Sequence, residues 1–443
     1  MKRRFYILAI AALILWPKSQ LGAQFDRITE ENQALSGLVL DHALFSDDPT
    51  GRVRLELYYQ FFNFVLQWLP KGDVYVGEYE IVIRVKDTKG RQVDSFTRMR
   101  EVVASDEART RSRSDFRTNQ VSFLLDPGKY KLEFILRDRN TAVALSRELE
   151  FKLKSFAAKK PRLSNVEFLR AAEQGTGDSS VFAKGDLIVV PSVTRDFSFR
   201  PDHNRLLYYL EIYRGSDSAK SVFVETAVRR RWGSLVYRDS MTVELTSSVM
   251  RQLREMSMDT LAPGDYELEL TLRGRRNKKL DQETTSFSIA WTQDALLRSD
   301  YASTLDLIGL IAEPKELSDL SKLKTYQERL DGLNNFWLQR DPTPGSAENE
   351  IKGEFFRRVR LANRSFLFMR QPGWRTDRGR VFIKHGEPDE IDDYPFAPNS
   401  HPYQEWHYFR GGRYRKFTFL DENEDGDYRL IYPFDGLNLR PDF

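Results

Sequence analysis

At 443 residues the chain is too long for one ordinary hydrophobic core and suits about three domains. Aromatic residues at 13% beside 30% charged residues are the profile of folded domains with solvated faces, which argues against a disordered tail. The absence of cysteine excludes disulfides, thiol catalysis, thiolate metal sites and lipidation through an N-terminal cysteine.

Lys2, Arg3 and Arg4 precede an uncharged run from Phe5 to Trp16, and Leu21-Gly22-Ala23 supplies small residues where a cut would fall. A spanning helix needs about 20 apolar residues, so residues 1–23 read as a secretory signal peptide, with an uncleaved anchor as the rival. The mature protein is then expected in the periplasm or outside the cell. The segment holds four cations and no acid, which leaves 64 basic against 65 acidic residues beyond it. Such a balance gives no general electrostatic drive toward nucleic acid or anionic lipid.

From Ser36 the pattern becomes short alternating runs, such as Arg52 to Leu57 and Tyr79 to Val85, separated by Gly, Asp and Thr turns. Period-two alternation of this kind predicts half-buried antiparallel strands. Leu125-Asp126-Pro127-Gly128-Lys129-Tyr130 and the strand after it recur 136 residues later as Leu261-Ala262-Pro263-Gly264-Asp265-Tyr266 with its own strand. In both copies Pro-Gly supplies a turn, and the Tyr stands where the tyrosine corner of an immunoglobulin or fibronectin sandwich pins a crossing strand. Two tandem β-sandwiches are predicted, 36–156 and 162–290, packed end to end across the short linker Ser155 to Arg162. The mixed-charge run from Ser105 to Arg117 reads as a solvated loop. Arg229-Arg230-Arg231 with Trp232 reads as cation–π packing on an edge strand.

After Trp291 the period changes, and residues 291–443 are predicted to form an α+β domain. Leu297, Tyr301, Leu305 and Ile308 fall at helical spacing, and Thr325 with Glu328 forms a capping box for a helix carrying Leu330, Leu333 and Trp337. Pro342 and Pro344 stop that helix; Ile351, Phe355, Val359, Ala362 and Phe366 mark a third, with Glu354 and Arg358 paired across a turn. Strands are predicted at Arg380–Lys384, Gln404–Phe409, Tyr414–Leu420 and Asp427–Tyr432, with Trp406, Tyr408, Phe417 and Phe419 facing the helices.

Phe336-Trp337, Arg340-Asp341-Pro342-Thr343-Pro344-Gly345, Asn349-Glu350, Gly373-Trp374-Arg375-Thr376-Asp377 and Gly386-Glu387-Pro388 occur in one order along the chain. With these residues the stretch 162–432 resembles the GWxTD domain family, which is bacterial and envelope-associated and has no settled catalytic residues. The resemblance implies an address and an architecture, and it transfers no chemical roles.

Read from the residues, Trp374 is expected to be a core anchor whose indole nitrogen finds a backbone acceptor, with Asp377 serving a turn ahead of a strand. The motif and binding candidates are Arg340, Asp341, Gly373, Trp374, Thr376, Asp377 and Glu387. The chemical alternative gathers Arg340, Asp377 and Glu387 in a cleft, where two carboxylates would act as acid and base. His385, His401 and His407 lie near several acids without the spacing of a zinc motif. Asp421, Asn423, Asp425 and Asp427 match the first half of a calcium loop, but the twelfth position is Tyr432 where an EF-hand needs Glu, so a hairpin turn is the preferred reading. His42 and His203 are isolated.

No P-loop, G-x-S-x-G or dinucleotide fingerprint is present. The expectation is a non-catalytic exported envelope protein that binds or scaffolds a protein or peptide partner and needs no cofactor. The alternative is a hydrolase of peptide or glycan using Asp377 and Glu387, or a metal near His385.

Overall fold

The computed structural model describes residues 37–47, 51–112, 115–175, 180–199, 204–216, 220–231, 233–344, 349–396, 400–410, 412–439 and 441–442. The signal segment, two residues of the charged run (113 and 114), His203, Trp232 and Gly345 lie outside them. Among the described residues no helix is long and apolar enough to cross a membrane.

The chain is mainly β. Its first eight strands are β1 (Leu38–Asp47), β2 (Arg52–Phe62), β3 (Trp68–Lys71), β4 (Val74–Asp87), β5 (Gln92–Ala104), β6 (Phe116–Leu125), β7 (Gly128–Asp138) and β8 (Ala144–Leu153). They form a three-stranded sheet in the order β1-β2-β6 and a five-stranded sheet in which β4 joins β3, β5 and β7, with β8 beyond β7. Alternate residues of the facing strands, such as Leu55, Leu57 and Tyr59 against Ile81, Ile83, Leu132 and Phe134, build one core.

The next eight are β9 (Glu167–Gln174), β10 (Leu187–Pro191), β11 (Arg205–Tyr213), β12 (Ser221–Arg230), β13 (Leu235–Glu244), β14 (Val249–Ser257), β15 (Gly264–Arg273) and β16 (Lys279–Ile289). One sheet runs β10-β9-β11-β14 and the other β16-β15-β12-β13, with two-residue strands at Arg162–Leu163, Ala183–Lys184 and Asp196–Phe197 along them. The repeated tyrosines act as their position implies. The Tyr130 hydroxyl donates to the Asp126 carbonyl at 3.0 Å, and Tyr266 donates to the Ala262 carbonyl at 2.6 Å, so each strand is tied to the chain four residues upstream. Because β12 has a neighbour on both sides, Arg229 and Arg230 end an interior strand, and the edge-strand expectation is corrected.

The end-to-end expectation is corrected as well. Val53, Leu55 and Leu57 of β2 point into the first core, but Tyr58 points out of it, and with Ala43 and Phe45 of β1 it packs on Leu169, Leu187, Val189 and Tyr209. The sandwiches therefore meet face to face. Ionic groups are buried at this joint. Lys184 pairs with Glu56 and lies 3.2 Å from Glu167, while the Tyr209 and Tyr213 hydroxyls donate to Glu211 at 2.9 and 2.7 Å. Linker length is silent on this geometry, because the polar outer residues of β2 that seem solvated in the sequence are instead paired across the joint.

In the last module α1 (Gln293–Ser299), α2 (Tyr301–Ile308), α3 (Pro314–Ser321), α4 (Tyr326–Leu338) and α5 (Glu350–Ser365) precede the signature. Among the described residues five helices thus stand where three were expected. Asp300 breaks the first pattern in two by capping α2, and α3 starts at a proline with its own capping box. Thr325 and Glu328 form the predicted box on α4. After the signature come α6 (Asp377–His385) and a sheet of β17 (Glu390–Tyr394), β18 (Tyr403–Arg410), β19 (Arg413–Leu420) and β20 (Arg429–Tyr432), paired in that order. Trp406, Tyr408, Phe417 and Phe419 face the helices and are at most 2% exposed.

The segment Arg380–Lys384, expected as a strand, is the body of α6. Thr376 caps it by accepting a bond from the Gly379 amide, and Gly386 at φ 78° ends it. The short apolar run Val381-Phe382-Ile383 reads equally well in either period, so the caps were the signal that decided it.

Candidate functional site

The signature pentapeptide is spent on holding α5, α6 and the final sheet together. Gly373 abuts α5 so closely that a Cβ there would stand 1.9 Å from the Ala362 carbonyl oxygen, and a Cβ on Gly379 would stand 1.9 Å from the Gly373 oxygen. The Thr376 hydroxyl bridges the same turn, donating to the Gly373 carbonyl at 2.7 Å while accepting from the Gly379 amide at 3.1 Å. Trp374 is 4% exposed, lies edge-on to Trp291 with ring centroids 6.4 Å apart, and has the Arg375 guanidinium over its ring. It is a core anchor, but its indole nitrogen finds no hydrogen-bond partner among the described residues, contrary to expectation.

Asp377 opens α6, and its carboxylate accepts the Leu430 amide of β20 at 2.9 Å, pinning the sheet edge to the helix. That is a long-range bond, and the local turn ahead of a strand is not formed. Glu387 is exposed beyond the other end of α6, roughly 13 Å away along the axis at the usual helical rise. Arg340 donates to Glu316 at 2.6 Å and to the Phe336 carbonyl at 3.1 Å, and Asp341 accepts the Thr343 amide at 2.9 Å. The acid, base and cation of the hydrolase alternative therefore occupy separate environments.

The three histidines separate too. His385 is fully buried with Nδ1 2.9 Å from Asp442 Oδ2, and burial, foremost among the causes, lowers its pKa below the ordinary value. His401 lies 3.5 Å from Glu424, and His407 lies 3.2 Å from Asp392. Asp392, Glu405 and His407 do converge on the outer face of the last sheet, with donor atoms within 4.8 Å of one another. There the Lys416 ammonium already holds Glu405 at 2.7 Å and the Tyr414 hydroxyl holds His407 Nδ1 at 2.7 Å, so a cation would have to displace a cation.

In the calcium-like loop, the Asp421 carboxylate accepts the amides of Asp425 and Gly426 at 3.1 and 2.7 Å, and Asp427 pairs with Arg429. Asp425 accepts the Asp427 amide at 3.1 Å, and no hydrogen bond of the Asn423 side chain is among those described. These carboxylates serve the β19–β20 hairpin, and the donor set falls short of a calcium cage. Chelator or added calcium is expected to move the thermal midpoint by less than about 1 °C, as read by circular dichroism.

Two surfaces are brought together by the fold. On the outer face of the last sheet, Phe409 and Tyr414 stack with centroids 5.3 Å apart, Tyr394 and Tyr403 stack at 4.4 Å, and Phe409, Tyr414 and Tyr432 are more than half exposed. Between the second sandwich and α5 lies a cleft of about 360 Å³ lined by Arg230, Arg231, Arg360, Arg364 and Arg370, with Asp196 and Asp265 as its acids. Trp291 and Pro372 place its wall directly against the signature. The sequence held one signal for it: Arg360 and Arg364 recur one helical turn apart on α5.

A tandem-sandwich chain ending in an α+β module of this construction defines an architectural class and no reaction. Residues 299–433 match the family model described as the GWxTD domain, so the terminal module carries that domain. No curated protein matches the chain. Among solved structures, a glycosyl hydrolase family 2 member from Bacteroides cellulosilyticus aligns at 11% identity and TM-score 0.23, covering 53% of this chain and 28% of that one. β-Glucuronidase 2 from Bacteroides uniformis aligns at 11% and TM-score 0.21, covering 54% and 27%. Dimeric latent PorU from Porphyromonas gingivalis aligns at 11% and TM-score 0.24, covering 60% and 21%. The chain spans less than a third of the length of each, and likeness at that level carries no functional argument.

Proposed function

We propose that this protein is a non-catalytic, exported component of the bacterial envelope that binds or scaffolds a protein partner, with the outer face of the β17–β20 sheet as the docking surface. The observation that carries the reading is the row of paired aromatic side chains left open on that face, where Phe409 and Tyr414 are 58% and 57% exposed. Aromatic rings supply large contact area at low entropic cost and are enriched at the centres of protein interfaces. The separation of Asp377 from Glu387 speaks against the hydrolase alternative. Periplasmic or extracellular location follows from the signal-like first 23 residues and is part of the same proposal.

The test is crosslinking capture from an envelope fraction with the wild-type chain, with Phe409→Ala/Tyr414→Ala, and with Val93→Ser, a change at an exposed position of β5. One saturable partner is expected to be lost in the aromatic double variant alone, with the thermal midpoint unchanged to within about 2 °C. The same set of proteins recovered by all three chains would defeat the reading. Trp374→Ala is unsuitable here, because it empties the core.

A further inference from the structure

We infer that the arginine-lined cleft between the second sandwich and the GWxTD domain is a binding site for an acidic polypeptide segment. This site is separate from the aromatic face and stands whether or not that face docks a partner.

Five arginines line the cleft against two aspartates, a local excess of three positive charges in a chain whose total is only +3. Part of the acid is already committed. Asp196 accepts the Ser288 hydroxyl at 3.0 Å, and Asp265 lies 3.9 Å from Arg231. Arg360, Arg364 and Arg370 have no described carboxylate or carbonyl within bonding distance, unlike their neighbours Arg357 and Arg358, both of which hold Glu354. Arg360 is the telling case. It stands on α5 facing the sandwich, and burial in the first place, then the charges of Arg364 and Arg357, lower its pKa, with Asp196 as the leading opposing charge. A fold gains nothing from crowding more cations than it has counterions, whereas an incoming anion gains from each of them.

The shape and the apolar lining select the occupant. The cations come from two modules, Arg230 and Arg231 from the end of β12 and the others from α5 and the loop after it, so they suit several carboxylates spaced along a segment better than one compact phosphate. Pro263, Ile289, Ala290 and Leu367 supply apolar wall between them. Met369, held at φ 48° and 70% exposed, places a flexible thioether at the rim. A segment in which Glu or Asp alternates with apolar residues matches that mixture, and Arg forks bind carboxylates bidentately.

The test uses the chain from Gln24 onward and a fluorescein-labelled peptide Glu-Leu-Glu-Glu-Phe-Glu, with binding followed by anisotropy. Saturable binding that weakens as salt rises from about 50 to about 300 mM is expected. Arg364→Glu/Arg370→Glu, at two exposed residues with no described partner, is expected to weaken it by about tenfold or more without moving the thermal midpoint. Arg230→Glu, from the other module, is expected to weaken it as well. Equal affinity for wild type and the α5-side double variant, or no saturable binding below about 1 mM, would overturn the proposal. So would insensitivity to Arg230→Glu, since the site would then not span the modules. A heparin hexasaccharide and tripolyphosphate form the competing arms, and tighter binding of either at the same arginines would replace the peptide class with an anionic glycan or a phosphate.

Discussion

Gly373→Ala is expected to lose more than about 4 kcal/mol and to leave the GWxTD domain without fixed tertiary packing. The added Cβ would meet the Ala362 carbonyl oxygen at 1.9 Å, its carbon at 2.7 Å and the Asn363 Cα at 2.9 Å, all of them backbone atoms that no rotamer change moves aside. Relief would require α5 to part from the turn that carries Trp374 and caps α6. Near-ultraviolet circular dichroism should lose the signal of the buried Trp337, Trp374 and Trp406, while the two sandwiches keep their strand signal. Gly353→Ala is the control: it lies within α5 with nothing within 4 Å of its Cβ position, and is expected to stabilise by roughly 1 kcal/mol. If both variants melted like wild type, the signature would not be the packing joint described above.

Lys184→Met is the second large effect, with an expected loss of about 3–5 kcal/mol in urea unfolding at neutral pH. Lys184 is 3% exposed at the joint between the sandwiches, with its ammonium 3.8 Å from the Phe45 ring centroid. Around it lie three carboxylates, Glu56, Glu167 and Glu211, with Arg54 as the second cation. Removing the lysine leaves Glu167 without its cation in a dry interface and leaves Glu56 to Arg54 and the Tyr58 hydroxyl. Lys184→Met combined with Glu56→Met and Glu167→Met should recover much of the loss, because no buried charge is then left unpaired at that position.

The same cluster makes the joint sensitive to pH. Burial, ahead of the opposing pull of Lys184, pushes Glu167 from 4.5 up to about 7. The unfolded chain releases this proton near pH 4.5 and the folded chain keeps it to about pH 7, so the folded state binds the extra proton between those values. The contribution to stability is full below about pH 4.5, falls as pH rises through that window and levels off above about pH 7. Glu167→Gln is expected to flatten that slope in a series of urea midpoints. An unchanged slope would mean that another group titrates there.

Much of the architecture was legible. The Pro-Gly-x-Tyr repeat located both tyrosine ties, the alternation of β18 and β19 located the aromatic face of the last core, and Thr325 with Glu328 located a helix start. Each is local, since a capping box or a strand period is written within a few residues and is the same in any context. The segment after Thr376 is ambiguous in sequence because three adjacent apolar residues fit both periods, and only the caps at Thr376 and Gly386 separate them. His385 is buried on a face of α6, the helix that stands where a strand was expected.

What the sequence determined by itself was the mainly β character, the repeated tyrosine turn and the presence of the signature, all of which rest on neighbours in the chain. Only the tertiary structure decided that the sandwiches meet face to face over a buried ionic cluster, that Asp377 and Glu387 part company, and that Arg230 and Arg231 approach Arg360, Arg364 and Arg370 from another module. These last depend on which surfaces bury each other, and charge along a strand or helix looks the same whether it faces water or a partner it meets across more than a hundred residues.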